Sequence, residues 1–248
     1  MKVAVAGKGG IGKTTTAAGI CRVLADRGEE VLAVDADSNN CLGYALGMDP
    51  RLVEAVQPVS EMTELLRERS GAGVLGVAFS MVPEVADLID EFSVRQGPLR
   101  LMVMGSIIQG GSGCACPENA TLKALLREMV DLPVHIIVDM EAGLEHLGRG
   151  TAMALDTLLI VTDATAPALR TVRRMIGLAH DIHFEDLRYV GNRVRSKEDA
   201  ERIRAELREI REVRMISEYR DLAQDDVFAG EDGAGLREEI QAIVEVLE

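Results

Sequence analysis

Residues 7–14, Gly7-Lys8-Gly9-Gly10-Ile11-Gly12-Lys13-Thr14, decide the fold of this 248-residue chain. They spell G-x-x-x-x-G-K-T. The apolar run Val3-Ala4-Val5-Ala6 leads in, and a helical pattern over Thr14–Arg27 leads out. Strand, glycine loop and helix in that order are the setting of a phosphate-binding loop. Glycines let backbone N–H groups turn inward around an anion, and the N-terminus of the next helix adds partial positive charge. Lys13 would reach the β- and γ-phosphates, and the Thr14 hydroxyl would ligate Mg²⁺. Gly7, Gly9 and Gly12 also fit G-x-G-x-x-G, with Asp35 further on, so a dinucleotide turn is formally open. The closing Gly-Lys-Thr favours a triphosphate with Mg²⁺.

Lys8 is the unusual residue, because an ordinary phosphate loop has no need of a lysine directly after its first glycine. With it, the stretch KGGIGKTT resembles the deviant Walker A loop of the nitrogenase iron protein and MinD/ParA-like ATPases. The resemblance implies an ATPase that works as a homodimer, in which Lys8 reaches the nucleotide held by the partner subunit. The expected nucleotide-binding stretch is Gly7, Lys8, Gly9, Gly10, Ile11, Gly12, Lys13, Thr14 and Thr15.

Composition sets the outer limits. A chain of 248 residues with 47% hydrophobic and 3% aromatic content suits one α/β domain over residues 1–248 with an aliphatic core. Lys and Arg number 27 against 41 Asp and Glu, a formal net charge of −14. That balance opposes non-specific binding to nucleic acid or to an anionic membrane. No stretch approaches the roughly 18 apolar residues of a membrane span. The first strand begins at once, leaving no room for a signal peptide. A cytoplasmic protein is expected, and its four cysteines are expected to be thiols or metal ligands.

Further apolar runs predict strands at Val31–Val34, Leu99–Met104, Val134–Val138, Thr157–Val161 and Leu187–Val190, with an edge strand at Val213–Ile216. Helical spacing predicts helices near Glu61–Arg69, Pro83–Phe92, Glu118–Val130, Leu169–His180, Glu198–Ile210 and Leu236–Leu247. This alternation predicts an α/β fold: a single doubly wound, mostly parallel sheet with helices on both faces, a P-loop NTPase of the SIMIBI class. Ala17, Ile20, Cys21 and Leu24 share one helical stripe, so Cys21 is expected in the core, and Cys41 is also expected to pack.

Carboxylates close two of these strands. Asp35 and Asp37 follow Val31–Val34, and Asp139 follows Val138. Any one of them alone would equally serve as a helix N-cap. By resemblance to the ATPase family, Asp139 is the Walker B aspartate, Asp37 the switch residue that orients water, and Asp35 a contributor to the Mg²⁺ shell beside Thr14. Lys8, Lys13 and Asp37 are then the catalytic set, and Gly143 suits a sensor of the γ-phosphate. Asn192 resembles the adenine-reading asparagine, with Arg193 covering the base. The family often has Ile-Pro after its last strand; here Ile216 precedes Ser217.

The second informative stretch is Gly110-Gly111-Ser112-Gly113-Cys114-Ala115-Cys116-Pro117. C-x-C brings two thiolates close enough to hold one soft metal ion, half of a tetrahedral shell. The twofold axis of a dimer would complete Cys₄. A vicinal redox pair and two plain loop thiols stay open beside it. GKGGIGKTTTAAG, VDADSNN, GGSGCACPENA and VDMEAGLEHLGRGT together resemble CooC-type ATPases. The resemblance implies a metallochaperone that binds ATP/ADP with Mg²⁺ and assists nickel insertion into carbon monoxide dehydrogenase or the related acetyl-CoA synthase. Ni²⁺ or Zn²⁺ would be shared across a homodimer promoted by ATP and metal, with neither nucleic acid nor membrane as partner. The rivals are a MinD/ParA-like positioning ATPase and an iron–sulfur reductase resembling the nitrogenase iron protein. The acidic end REEIQAIVEVLE argues against the first. The second needs cysteines far apart in sequence.

Overall fold

The computed structural model describes residues 1–37, 39–61, 89, 91–105, 129, 132–140, 155–222 and 226–248. Its centre is β1 (Lys2–Gly7), flanked by β5 (His135–Met140) and β6 (Thr157–Thr162). The strands run β3-β4-β2-β5-β1-β6-β7-β8 across one sheet. Here β2 is Val31–Ala36, β3 Ser93–Gln96, β4 Leu99–Val103, β7 Leu187–Val194 and β8 Arg211–Ser217. All neighbours are parallel except β3, which pairs antiparallel with β4. The doubly wound, mostly parallel α/β sheet expected from the sequence is therefore the fold.

Side chains alternate between the two faces, as the period of a strand requires. Val3, Val5, Ala33 and Leu159 face α1 (Lys13–Asp26) and the C-terminal helix; Ala4, Ala6, Leu32 and Ile160 face α4 (Ala166–Asp181) and α5 (Lys197–Glu206). With both faces covered, the central strands read as near-continuous apolar runs rather than alternating ones. Two short helices, α2 (Leu42–Ala45) and α3 (Pro50–Ala55), follow β2. The last helix, α6 (Gly230–Leu247), packs on α1, where Ile240 lies against Gly19. Arg22 of α1 bonds to both Asp226 and the Leu46 carbonyl, and Phe228 lies under Arg22 and Arg237 at 5.8 and 5.4 Å. The helix that opens at the glycine loop is thus held along its length.

Several expected boundaries shift. Strand β5 continues through Asp139 to Met140, so the aspartate lies inside the strand. Strand β7 continues to Val194 through two irregularities of register, which puts Asn192 and Arg193 on the strand. Strand β3 was not expected, because Ser93-Val94-Arg95-Gln96 is a mostly polar edge with one apolar residue, turned back at Gly97, whose φ is +61°. Cys21 is buried as expected, but Cys41 is exposed and does not pack; its thiol donates to the Asn39 carbonyl at 3.1 Å. The helices expected at Glu61–Arg69, Pro83–Phe92 and Glu118–Val130 fall mostly outside the described residues. Glu61 ends a 3₁₀ turn, Val59–Glu61.

Candidate nucleotide-binding site

The loop between β1 and α1 can only be built with glycine at its two ends. A Cβ on Gly7 would sit 2.4 Å from the Val161 carbonyl oxygen of the neighbouring strand. Gly12, with φ +98°, is in the left-handed region and leaves α1 without a side-chain cap. Nor is there an acidic residue in the first turn. The amide dipoles at this helix start are therefore not neutralised from within their own turn, which favours an external anion. Thr16 closes the turn internally, its hydroxyl donating to the Gly12 carbonyl at 2.9 Å.

Around the loop the strand ends deliver the carboxylates at one level. The β2–β5 register sets Asp35 opposite Asp139, and the β1–β5 register sets Asp139 beside Val5. The Thr14 hydroxyl donates to Asp139 Oδ2 at 2.5 Å. Lys13, only 5% exposed, lies 3.7 Å from Asp37. Asp35 is buried, and both its oxygens accept backbone N–H groups, from Asp37 at 3.2 Å and from Leu42 at 3.0 Å. It thereby fixes both ends of the turn that carries Asp37. Burial pushes the Asp35 carboxyl up to about 6, against the two N–H bonds that favour its charge.

The structure brings together Lys13, Thr14, Asp35, Asp37, Asp139 and Asn192. Lys8, Gly9 and Gly10 stand exposed on the rim, Ile11 is buried beneath them, and Thr15 is half-buried. The Asn192 amide donates to the Ile11 carbonyl at 2.7 Å, and the exposed Arg193 adjoins it with φ +56°. Cys114, Cys116 and Gly143 lie outside the described residues. Among the described residues no group of three or more His, Cys, Asp or Glu is arranged to hold a metal. Sequence reasoning missed Asn40, which sits in the turn with φ +42° and a buried Oδ1 that has no partner among the described residues. The pair Asn39-Asn40 was the available signal, since Asn is a side chain that tolerates the left-handed region.

Asp139 supplies the test of whether a divalent cation fits. It is 1% exposed, and among the described residues its Oδ1 has no hydrogen-bond partner. Burial pushes its carboxyl up to about 7; the Thr14 bond and Lys13 oppose this, and the Asp35 and Asp37 charges add to it. A cation, or water on a cation, would satisfy that oxygen and favour the ionised form. Thr14 and Asp139 therefore fit Mg²⁺. Each oxygen of Asp35 accepts one backbone N–H and keeps a lone pair, so Asp35 fits as a member of the shell through water.

A stability prediction follows. Folded Asp139 keeps its proton up to about pH 7, whereas the ordinary carboxyl value is 3.8. Between these values the native state binds more protons than the unfolded chain, so stability falls as the pH rises through that window. Asp139→Asn removes the effect. In the absence of nucleotide and Mg²⁺ it should stabilise the protein at pH 8 by on the order of 2–4 kcal/mol. The gain should shrink below pH 7 and vanish near pH 4. Thermal melts across that range check it, and the same variant should respond less to added MgATP than wild type.

A glycine loop at the carboxyl edge of a parallel sheet, with lysine, threonine and acidic strand ends around it, defines a nucleoside-triphosphate-binding protein of the P-loop class. Residues 2–226 match the CobQ/CobB/MinD/ParA nucleotide-binding domain, and the chain belongs to that family. It is 40% identical over 201 residues to the carbon monoxide dehydrogenase accessory protein CooC of Rhodospirillum rubrum, covering 80% of this chain and 76% of CooC. An uncharacterised ATP-binding protein of Methanocaldococcus jannaschii is equally similar, 40% identical over 80% of this chain and 77% of its own. The cell-division protein MinD of Aquifex aeolicus superimposes with a TM-score of 0.70 at 22% identity, covering 100% of this chain and 96% of that one, and so shares the fold. The resemblance to CooC-type members read from the motifs is thereby borne out.

Proposed function

We propose that this protein is an ATP-hydrolysing, homodimeric accessory factor that assists nickel insertion into carbon monoxide dehydrogenase or the related acetyl-CoA synthase. The observation that carries the reading is an assembled phosphate site, Lys13 over Asp37 and Thr14 on Asp139, in a chain whose likeness to CooC spans most of its length. Lys13 neutralises the phosphates. Thr14 and Asp139 would hold Mg²⁺, which would supply positive charge against the phosphates. Asp37 is presented by the turn that Asp35 fixes, and it orients the attacking water. The exposure of Lys8, beside a buried Lys13, suits a lysine that works on the partner's nucleotide.

Nickel is the cargo. Cys114 and Cys116 from each subunit would hold Ni²⁺, or Zn²⁺ in its place, in a shared thiolate shell. ATP closes the dimer and hydrolysis relaxes it, so metal and client affinities must differ between the two states by reciprocal linkage. A positioning role on an anionic membrane fits less well, because the polar face of α6 exposes Glu231, Glu238 and Glu245. Among the described residues no helix is long and apolar enough to cross a membrane.

The test is activation of nickel-free carbon monoxide dehydrogenase by the protein with Ni²⁺ and MgATP. Wild type should raise the rate of activation, and a non-hydrolysable ATP analogue should not replace ATP. Lys8→Ala should still bind MgATP, yet fail to dimerise with the analogue by light scattering and lose most hydrolysis and activation. A Lys8→Ala variant that dimerises like wild type would sink the trans role. A client indifferent to wild type would sink the accessory role.

A further inference from the structure

The turn that carries Asp37 runs into α2, which is only four residues long. A single turn of helix leaves its terminal N–H and C=O groups to be answered from outside. At its start the Leu42 N–H donates to Asp35 Oδ2 at 3.0 Å, and the N-cap residue Cys41 makes no side-chain cap. At its far end the partners come from distant parts of the chain. The Val227 N–H donates to the Ala45 carbonyl at 3.2 Å, and Arg22 Nη1 donates to the Leu46 carbonyl at 2.8 Å. The same nitrogen donates to Asp226 Oδ1 at 3.1 Å, and that oxygen also accepts the Phe228 N–H. Gly47 makes the close approach possible. Its φ is +69°, and a Cβ built there would lie 2.8 Å from Arg22 Nη1.

Arg22 belongs to α1, the helix that opens at Lys13, and lies roughly 13 Å further along its axis. Helix α1 therefore meets the segment 37–46 at two points: Lys13 beside Asp37 at 3.7 Å, and Arg22 on the Leu46 carbonyl. A polyphosphate would compete with Asp37 for the Lys13 ammonium. The Arg22 contact lies away from the glycine loop and would persist. Arg22 and Asp226 are 21% and 37% exposed, so their ion pair adds little to overall stability. What the contacts of Arg22 fix is the place of α2 on α1.

We propose that Arg22 is a positioning residue for ATP hydrolysis, which fastens α2 to α1 and so sets where the turn presents Asp37. The inference rests on the reading of Asp37 as the residue that orients the attacking water, and it concerns how that residue is held. Asp35 holds the upstream end of the turn through Asp37 N–H and Leu42 N–H. Arg22 holds the downstream end through α2. Without it, the Leu46 carbonyl loses its donor and α2 can shift, and small displacements of a group that orients a reactant are costly in rate. The contacts that bind the phosphates, from the glycine loop, Lys13 and Thr14, stay in place.

Arg22→Met keeps the aliphatic stem and removes the donor. Its kcat for ATP hydrolysis should fall about tenfold while MgATP affinity stays within about twofold, the split expected of an interaction that serves only the transition state. Dimerisation with a non-hydrolysable analogue, followed by light scattering, should be unchanged. Arg22→Lys restores a charged donor on a flexible stem and should recover most of the rate. A double-mutant cycle supplies the second readout. In an Asp37→Asn background Arg22→Met should cost nothing further, because the group it positions is already gone. Calorimetry and single-turnover hydrolysis on all four proteins decide it, with near-native circular dichroism as the control. If Arg22→Met does not fold, the cycle is run with Asp226→Ala, which removes the partner of Arg22 and should show the same dependence on Asp37. An equal loss of kcat in both backgrounds, a loss of affinity with kcat intact, or an Arg22→Lys variant as slow as Arg22→Met would overturn the role of Arg22. Wild-type turnover by Asp37→Asn would instead overturn the reading of Asp37.

Discussion

Lys13→Ala is expected to abolish tight MgATP binding while leaving the protein folded. Lys13 is the first residue of α1 and is nearly buried, with its ammonium 3.7 Å from Asp37. Asp35, Asp37 and Asp139 all lie around the same loop. Removing the lysine exposes an arriving polyphosphate to three carboxylates without their nearest cation. The charge-assisted contacts of one ammonium are worth a factor of roughly a hundred or more in affinity. The sheet and its two apolar layers do not depend on this side chain, so the melting profile should stay cooperative. Calorimetry with MgATP measures the loss directly. Affinity within threefold of wild type would refute the phosphate-loop assignment and every role built on it.

Cys114→Ser and Cys116→Ser should each remove soft-metal binding and leave MgATP affinity intact. Wild type should take up one Ni²⁺ or Zn²⁺ per dimer, because one C-x-C supplies two thiolates and a twofold axis supplies the other two. The remaining cysteines are poor substitutes. Burial in α1 pushes the Cys21 thiol far up. The Cys41 thiol is also raised, first by partial burial and then by the charges of Asp35, Asp37 and Asp139. Cys41→Ser should therefore bind metal like wild type. Metal uptake should release protons and weaken as the pH falls, since the ligands must be thiolates. X-ray absorption reports sulfur ligation, and native mass spectrometry reports stoichiometry. One metal per monomer, or a metal bound without sulfur, would exclude the shared site and leave the redox-pair and loop-thiol readings.

The phosphate loop, Gly7–Thr14, was determined by the sequence alone, because its geometry is local: left-handed glycines, a lysine and a threonine within eight consecutive positions. The central strands were legible for a related reason. A parallel strand covered on both faces is apolar throughout, and Val31–Val34 or Thr157–Val161 need no partner to announce that. The C-x-C pair was readable in the same local way. Its pairing across a dimer came from the half-filled tetrahedral shell together with the homodimer that resemblance to MinD/ParA-like ATPases implies, and it is carried here as a proposal.

Contacts between distant parts of the chain were decided only by the tertiary structure. Strand β3 is three polar residues and Val94, held as a strand by the pairing energy of β4, which no local pattern encodes. The level placement of Asp35 and Asp139 follows from the register of β2 on β5. Their raised carboxyls follow from burial, a property of the packed sheet. Asp35 is a strand-end carboxylate in sequence, but two backbone N–H groups make it the anchor of the turn carrying Asp37. Asn192 is a plain asparagine after a glycine in the sequence. Only the approach of β7 to the loop, with Gly12 leaving room for an amide, sets its N–H on the Ile11 carbonyl, because hydrogen bonds spanning 181 positions are set by how strands are ordered across a sheet and not by the residues beside them.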